Sequence, residues 1–312
     1  MNFKKLRLLV YFVVITLLAL YLAANEAWVG VAVMAALFLL GIMIILFPNS
    51  NMEEDDDDFY DDTDEPHPHN TFKRDHLVYY GDQLSFNDED VNEILEKHSP
   101  YFTQCNDDDK KKFIKRVISF IDDKTFNIYD KSGFREMPVL ISASAIQVSF
   151  GLEKYILPHF TYINIHPVEF IDVQKTIRFL EGNVSGNSIN ISWKYFIEGF
   201  QFPRDGKNVG LHEMAHAYYY QNFGPCENKD EMFIKAFDKV SVCGNKIFQD
   251  PYNLTYGLYS DYSKRNFQEF WAESIEIFFE KSMEMKNTYP YLYHSISELL
   301  NQDPTNVNYQ LY

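Results

Sequence analysis

Residues Asn208 to Phe223 read NVGLHEMAHAYYYQNF, and the fold turns on whether this stretch is a helix. Asn208 suits an N-cap, Gly224-Pro225 is an emphatic stop, and Leu211, Met214, Ala215 and Ala217 supply the apolar contacts of a packed helix. On that helix His212 and His216 lie four residues apart, about 40° around the axis on successive turns, so both point to one spot. Two neutral imidazoles placed so can grip one divalent cation. Glu213, beside the first of them, is set to orient a water molecule and take its proton once a metal has lowered that water's pKa. This is the division of labour in metal-assisted peptide hydrolysis.

A catalytic zinc takes three protein ligands and leaves a fourth position for water, so one ligand must come from elsewhere in the chain. Residues Asn266 to Lys281, NFQEFWAESIEIFFEK, read as a second helix, with Glu269 and Glu273 four apart amid Phe270, Trp271, Ile277 and Phe278. Carboxylates among apolar side chains need partners, which a metal and the groups behind it provide. Spacing alone fits Glu269 and Glu273 equally as the ligand. A solvated stripe of Glu269, Glu273, Glu276 and Glu280 is the competing reading.

Upstream, Val91 to His98 and Asp108 to Ile121 carry helical periodicity, the latter through Phe113, Ile114, Val117, Ile118 and Ile121. Pro138 to Val148 mixes small and β-branched residues, and its length after Pro138 favours a buried helix over a strand. Phe160 to Ile165 (FTYINI) and Ser188 to Trp193 (SINISW, after the turn GNVSGN) read as strands. A small mixed sheet therefore precedes the key helix. SINISW is the expected edge strand, open to an extended peptide.

The 312-residue chain is uneven before this domain begins. Leu8 to Ala24 and Ala27 to Phe47 are almost wholly apolar, each about the 20 residues needed to cross a bilayer as a helix. They predict a transmembrane hairpin within residues 1–50, in preference to a cleaved leader, since a second apolar stretch follows at once without a convincing cleavage site. Lys4, Lys5 and Arg7 precede the first stretch and the turn carries no basic residue, which places the rest of the chain in the cytoplasm. Residues 51–70 include Met52 to Glu65, MEEDDDDFYDDTDE, whose ten acidic residues and lack of apolar area predict a disordered tether. Much of the net charge of −17 lies there, leaving 35 of the 45 acidic residues against 28 basic ones. No clustered basic face for nucleic acid is visible. Cys105, Cys226 and Cys243 are odd in number and lack paired spacing, unlike a disulfide framework.

The segments NVGLHEMAHAYYYQNF, Tyr262 to Glu273 (YSKRNFQEFWAE) and FFEKSMEMKNTYPYLYHSISELLNQDP together resemble the zinc-dependent peptidases of the Mlc titration factor A family, an M90-type gluzincin group similar in its catalytic core to the anthrax lethal factor protease. The likeness extends over most of residues 71–312, through INIHP and SGNSINISW. It implies that Glu269 is the third zinc ligand, that Glu273 supports the site from behind the ligands, and that Tyr262, seven residues before Glu269, assists the oxyanion. Tyr256 and Tyr259 are nearby rivals. A phenol donor aimed at developing negative charge stabilises the transition state more than the ground state. The resemblance further implies peptidase or aminopeptidase activity. One departure stands out: the family often has an acidic residue three positions after the second histidine, where this chain has Tyr219.

The expectation is thus an α+β, zincin-like domain over residues 71–312, with a helical C-terminal part that brings Glu269 to His212 and His216. The expected activity is Zn²⁺-dependent hydrolysis of a peptide or protein substrate at the membrane, with Glu213 and Tyr262 as catalytic groups. A zinc-bearing module that captures a regulatory protein partner, with little or no hydrolysis, is the alternative from another class.

Overall fold

The computed structural model describes residues 77–80, 85–130, 135–172, 178–252 and 257–305, all within the unit Thr71–Tyr312. The expected transmembrane hairpin and acidic tether lie outside the described residues. Among the described residues no helix is long and apolar enough to cross a membrane.

In chain order the elements are β1 (Leu77–Tyr80), α1 (Asp88–His98), the single turn α2 (Pro100–Thr103), α3 (Asp107–Asp123), β2 (Thr125–Ile128) and α4 (Glu136–Ser149). There follow β3 (Tyr162–His166), β4 (Phe170–Asp172), β5 (Arg178–Leu180), β6 (Gly182–Ser185), β7 (Ser188–Ser192) and α5 (Trp193–Gln201). The C-terminal part is helical: α6 (Val209–Phe223), α7 (Glu231–Phe248), a 3₁₀ turn at Ser263–Arg265, α8 (Phe267–Glu280), α9 (Ser282–Thr288) and α10 (Pro290–Leu300).

Among the described residues five strands form one mixed sheet in the order β1-β2-β3-β7-β6, with β2, β3 and β7 parallel and the outer strands antiparallel; β4 and β5 form a separate antiparallel ribbon. Alternation sets the two faces. Phe126, Ile128, Ile163, Ile165, Ile189 and Ile191 are buried on one, at about 1.5–3 kcal/mol per side chain. Asn127, Asn164 and Asn190, in one register row, are only half-buried on the other.

This order corrects the reading of SINISW as the edge. That strand is β7, hydrogen-bonded on both sides, while the edge is β6 (GNVS), which reads in sequence as part of a turn. Period-two alternation is the same in an inner strand and an edge strand, so pattern alone does not separate them. Trp193 likewise opens α5 instead of ending the strand.

The Pro138 segment is indeed helical: α4 begins two residues before that proline, and nearly every side chain in it is buried. Helix α6 passes β6, β7 and α4 and pairs closely with α8. Small residues permit this approach. A Cβ on Gly210 would sit 2.6 Å from Phe196 and 2.7 Å from Ser144 Oγ, and Ala215 and Ala217 are fully buried.

Candidate metal centre

Two capped helices bring the site together. Asn208 Oδ1 accepts the Leu211 amide at the start of α6, and Asn266 Oδ1 accepts the amides of Gln268 and Glu269 at the start of α8. The second cap fixes Glu269 in the first turn, where the helix dipole favours a carboxylate. Trp271, fully buried, donates its indole N–H to the Ala215 carbonyl at 3.0 Å and so pins α8 to α6 beside the histidines.

The result is a triangle of ligand atoms. His212 Nε2 lies 3.2 Å from Glu269 Oε2, His216 Nε2 lies 3.1 Å from the same oxygen, and the two ring nitrogens are 3.1 Å apart. Among the described residues these three form the group able to hold a metal ion. Ligand atoms about 2.0–2.1 Å from a tetrahedral zinc would be about 3.3 Å apart, and a His₂Glu donor set suits that ion, so the residues fit it.

Charge fits as well. Burial opposes an imidazolium at His212, but Glu276 and Glu269 outweigh it and hold that pKa well above 6.5. Burial likewise opposes ionisation of Glu269, and hydrogen bonds from both imidazoles overcome it, keeping that carboxyl well below the usual range. Positive charge is favoured at this point of the fold.

Glu213 is 5% exposed, and its Oε2 is buried without a hydrogen-bond partner among the described residues. Leaving such a group unpaired costs about 1–3 kcal/mol, so this oxygen is available to accept a hydrogen bond from a molecule entering the site. Burial pushes its pKa up, against the pull of the two imidazoles. The edge strand presses on it: a Cβ at Gly182 would fall 2.5 Å from Glu213 Oε1, so glycine is what allows β6 to border the site.

Behind His212 stands a residue the sequence reading did not single out. Glu276 Oε1 accepts from His212 Nδ1 at 2.6 Å, while its Oε2 accepts the Asn208 backbone N–H at 2.5 Å. It therefore selects the tautomer that turns Nε2 towards Glu269. At the position where the resemblance expects an acidic residue, the Tyr219 ring packs on Phe223 and Phe237, and the carboxylate bonded to His212 Nδ1 comes from α8. A signal for Glu276 existed, since Glu269, Glu273, Glu276 and Glu280 follow the 4-3-4 spacing of one helix face. Glu273 and Glu276 are 7% and 6% exposed, so the face is no solvated stripe.

Glu273 touches neither histidine. It accepts the Ser260 amide at 2.5 Å and the Ser260 hydroxyl at 2.9 Å, and Ser260 Oγ in turn accepts the Tyr262 amide. Glu273 thus anchors the loop that carries Tyr262. The Tyr262 ring is 41% exposed, 5.9 Å from the His212 ring, with the Arg265 guanidinium 4.1 Å above it. Its rival Tyr259 is a core residue, bonded to Ser274 and packed on Phe270 and Tyr289; Tyr256 lies outside the described residues. Cys105, Cys226 and Cys243 are free thiols.

The family described as glucose-regulated metallo-peptidase M90 matches residues 81–300, most of the chain and all of the site. The protein belongs to that family. No curated protein sequence matches it.

Proposed function

We propose that this protein is a zinc-dependent peptidase of the zincin-like type, held at a membrane by its N-terminal apolar pair. The observation that carries the reading is the convergence of His212, His216 and Glu269 on one point beside a buried, unpartnered Glu213 oxygen.

His212, His216 and Glu269 hold the ion. Zinc bound there would polarise the scissile carbonyl and lower the pKa of a neighbouring water. Glu213 Oε2 takes that water's proton as the oxygen attacks the carbonyl carbon, then returns it to the departing nitrogen. Burial raises its pKa above the ordinary carboxylate value, which makes it a stronger proton acceptor than a solvated glutamate. Tyr262 donates its phenol O–H to the developing oxyanion, held in reach by the Glu273–Ser260 anchor. The substrate lies extended along β6, whose outward main-chain groups can pair with it while Gly182 keeps the strand close to Glu213.

The test is metal analysis and peptide cleavage by the purified full-length protein, with and without chelator. One zinc per chain and cleavage that chelator abolishes and zinc restores are expected. Chelator-insensitive capture of a protein with no cleavage of any peptide would favour the regulatory module instead.

A further inference from the structure

The outer face of the sheet carries a row of four asparagines, one from each of four adjacent strands. Asn127 Nδ2 donates to Asn164 Oδ1, Asn164 Nδ2 to Asn190 Oδ1, and Asn190 Nδ2 to Asn183 Oδ1, each at 2.7 Å. The row runs β2-β3-β7-β6 along matched register and ends at β6, which among the described residues has no strand beyond it.

Its direction is fixed at that end. Asn190 Nδ2 also faces the Asn183 backbone carbonyl at 3.4 Å, an acceptor only, so the amide nitrogen of Asn190 must be the atom turned towards β6. Asn183 then meets its neighbour with Oδ1 and keeps Nδ2, which bonds to nothing among the described residues, on the side away from β7. Every donor in the row points towards the edge, so the edge presents a donor.

The backbone beside it is open in the matching way. Ser192 N–H donates to Glu181 carbonyl, so in the antiparallel alternation Glu181, Asn183 and Ser185 spend their main-chain groups on β7, and those of Gly182 and Val184 face outward. A peptide pairing with Gly182 and Val184 sets one residue directly opposite Asn183 in a position not bridged by main-chain bonds, where side chains approach most closely. Asn183 projects to the outer face while Gly182 meets Glu213 on the inner one, so this residue neighbours the part of the peptide nearest the site.

We infer that Asn183 is a specificity determinant that selects peptides bearing asparagine or aspartate at the position facing it, its Nδ2 donating to the substrate side-chain oxygen as the next step of the ladder. Only a side chain of the same length with an sp² oxygen stands at the height of the row. The inference rests on the peptidase reading and on peptide addition at β6.

The experiment uses the full-length, zinc-loaded chain and a peptide library varied one position at a time. For the native protein, asparagine or aspartate is expected to exceed alanine or leucine in kcat/KM by about tenfold at a single position relative to the cut, the discrimination of one good hydrogen bond. In Asn183→Ala that ratio falls to near one while the ratios at other positions persist. Asn183→Asp turns the outward donor into an acceptor and moves the preference at that position to lysine or arginine, which tests the idea even if the alanine variant is inactive. An unchanged profile in Asn183→Ala, or no preference at any single position in the native protein, would overturn the inference and leave the peptidase reading standing. A native, zinc-loaded protein that cleaves no peptide would overturn both.

Discussion

His212 is gripped from two sides by one helix, with Glu269 at Nε2 and Glu276 at Nδ1. Glu276→Gln keeps the size of that side chain but sets an amide where two donors, His212 Nδ1–H and the Asn208 N–H, both require an acceptor. Loss of such a hydrogen bond behind a ligand costs about 10–100-fold in metal affinity, and competition with a chromogenic chelator would measure it. An unchanged affinity would remove Glu276 from the account. The two histidines and Glu213 were legible because their geometry is local, set by helix pitch within five residues. Glu269 and Glu273 were indistinguishable by spacing, and what separates them is how α8 docks: the Trp271–Ala215 bond turns Glu269 to the histidines and Glu273 to the Ser260 loop. Glu276 asked for that same docking angle, which no local pattern contains.

Among the elements, β6 was the least legible because four residues with a glycine at their head look like a turn, yet its placement against α6 closes the site. Gly182→Val would drive side-chain atoms into Glu213. It should lower kcat/KM by at least about tenfold while zinc content, read by atomic absorption, stays near one per chain, since the ligands lie on α6 and α8. The joint between those two helices carries a second consequence. Glu280 on α8 accepts from Gly206 N–H and from Asn208 Nδ2, next to Glu276, and burial, reinforced by Glu276 and Asp205, pushes its pKa from 4.5 up to about 8. A carboxyl whose folded-state pKa is raised stabilises the fold fully below 4.5 and loses that contribution as pH rises to about 8. The native protein's melting temperature should therefore fall between those pH values more than that of Glu280→Gln, measured by thermal scanning across buffers. Parallel curves for the two proteins would refute the assignment. Neither consequence was visible in advance, because both depend on which element lies opposite which.

For the whole molecule, the mixed sheet with a helical C-terminal part was foreseeable from alternating runs followed by long amphipathic ones, whereas strand order was not. The family match begins at residue 81, so the apolar pair and the acidic run form an addition to the shared core. As a membrane tether, that addition should keep the full chain in the membrane fraction after a high-salt wash and place a reporter fused after Tyr312 in the cytoplasm; a reporter active only outside would reverse the proposed orientation. Wherever the domain resides, the proposed hydrolysis needs Glu213 as the base beside a metal held by His212, His216 and Glu269. The most direct test is Glu213→Gln in the full-length chain, measured for zinc content and peptide hydrolysis together. About one zinc per chain is expected, with kcat reduced by at least about 10²-fold, the contribution of a positioned acid–base group. Hydrolysis at the native rate by a zinc-bearing Glu213→Gln protein would contradict it.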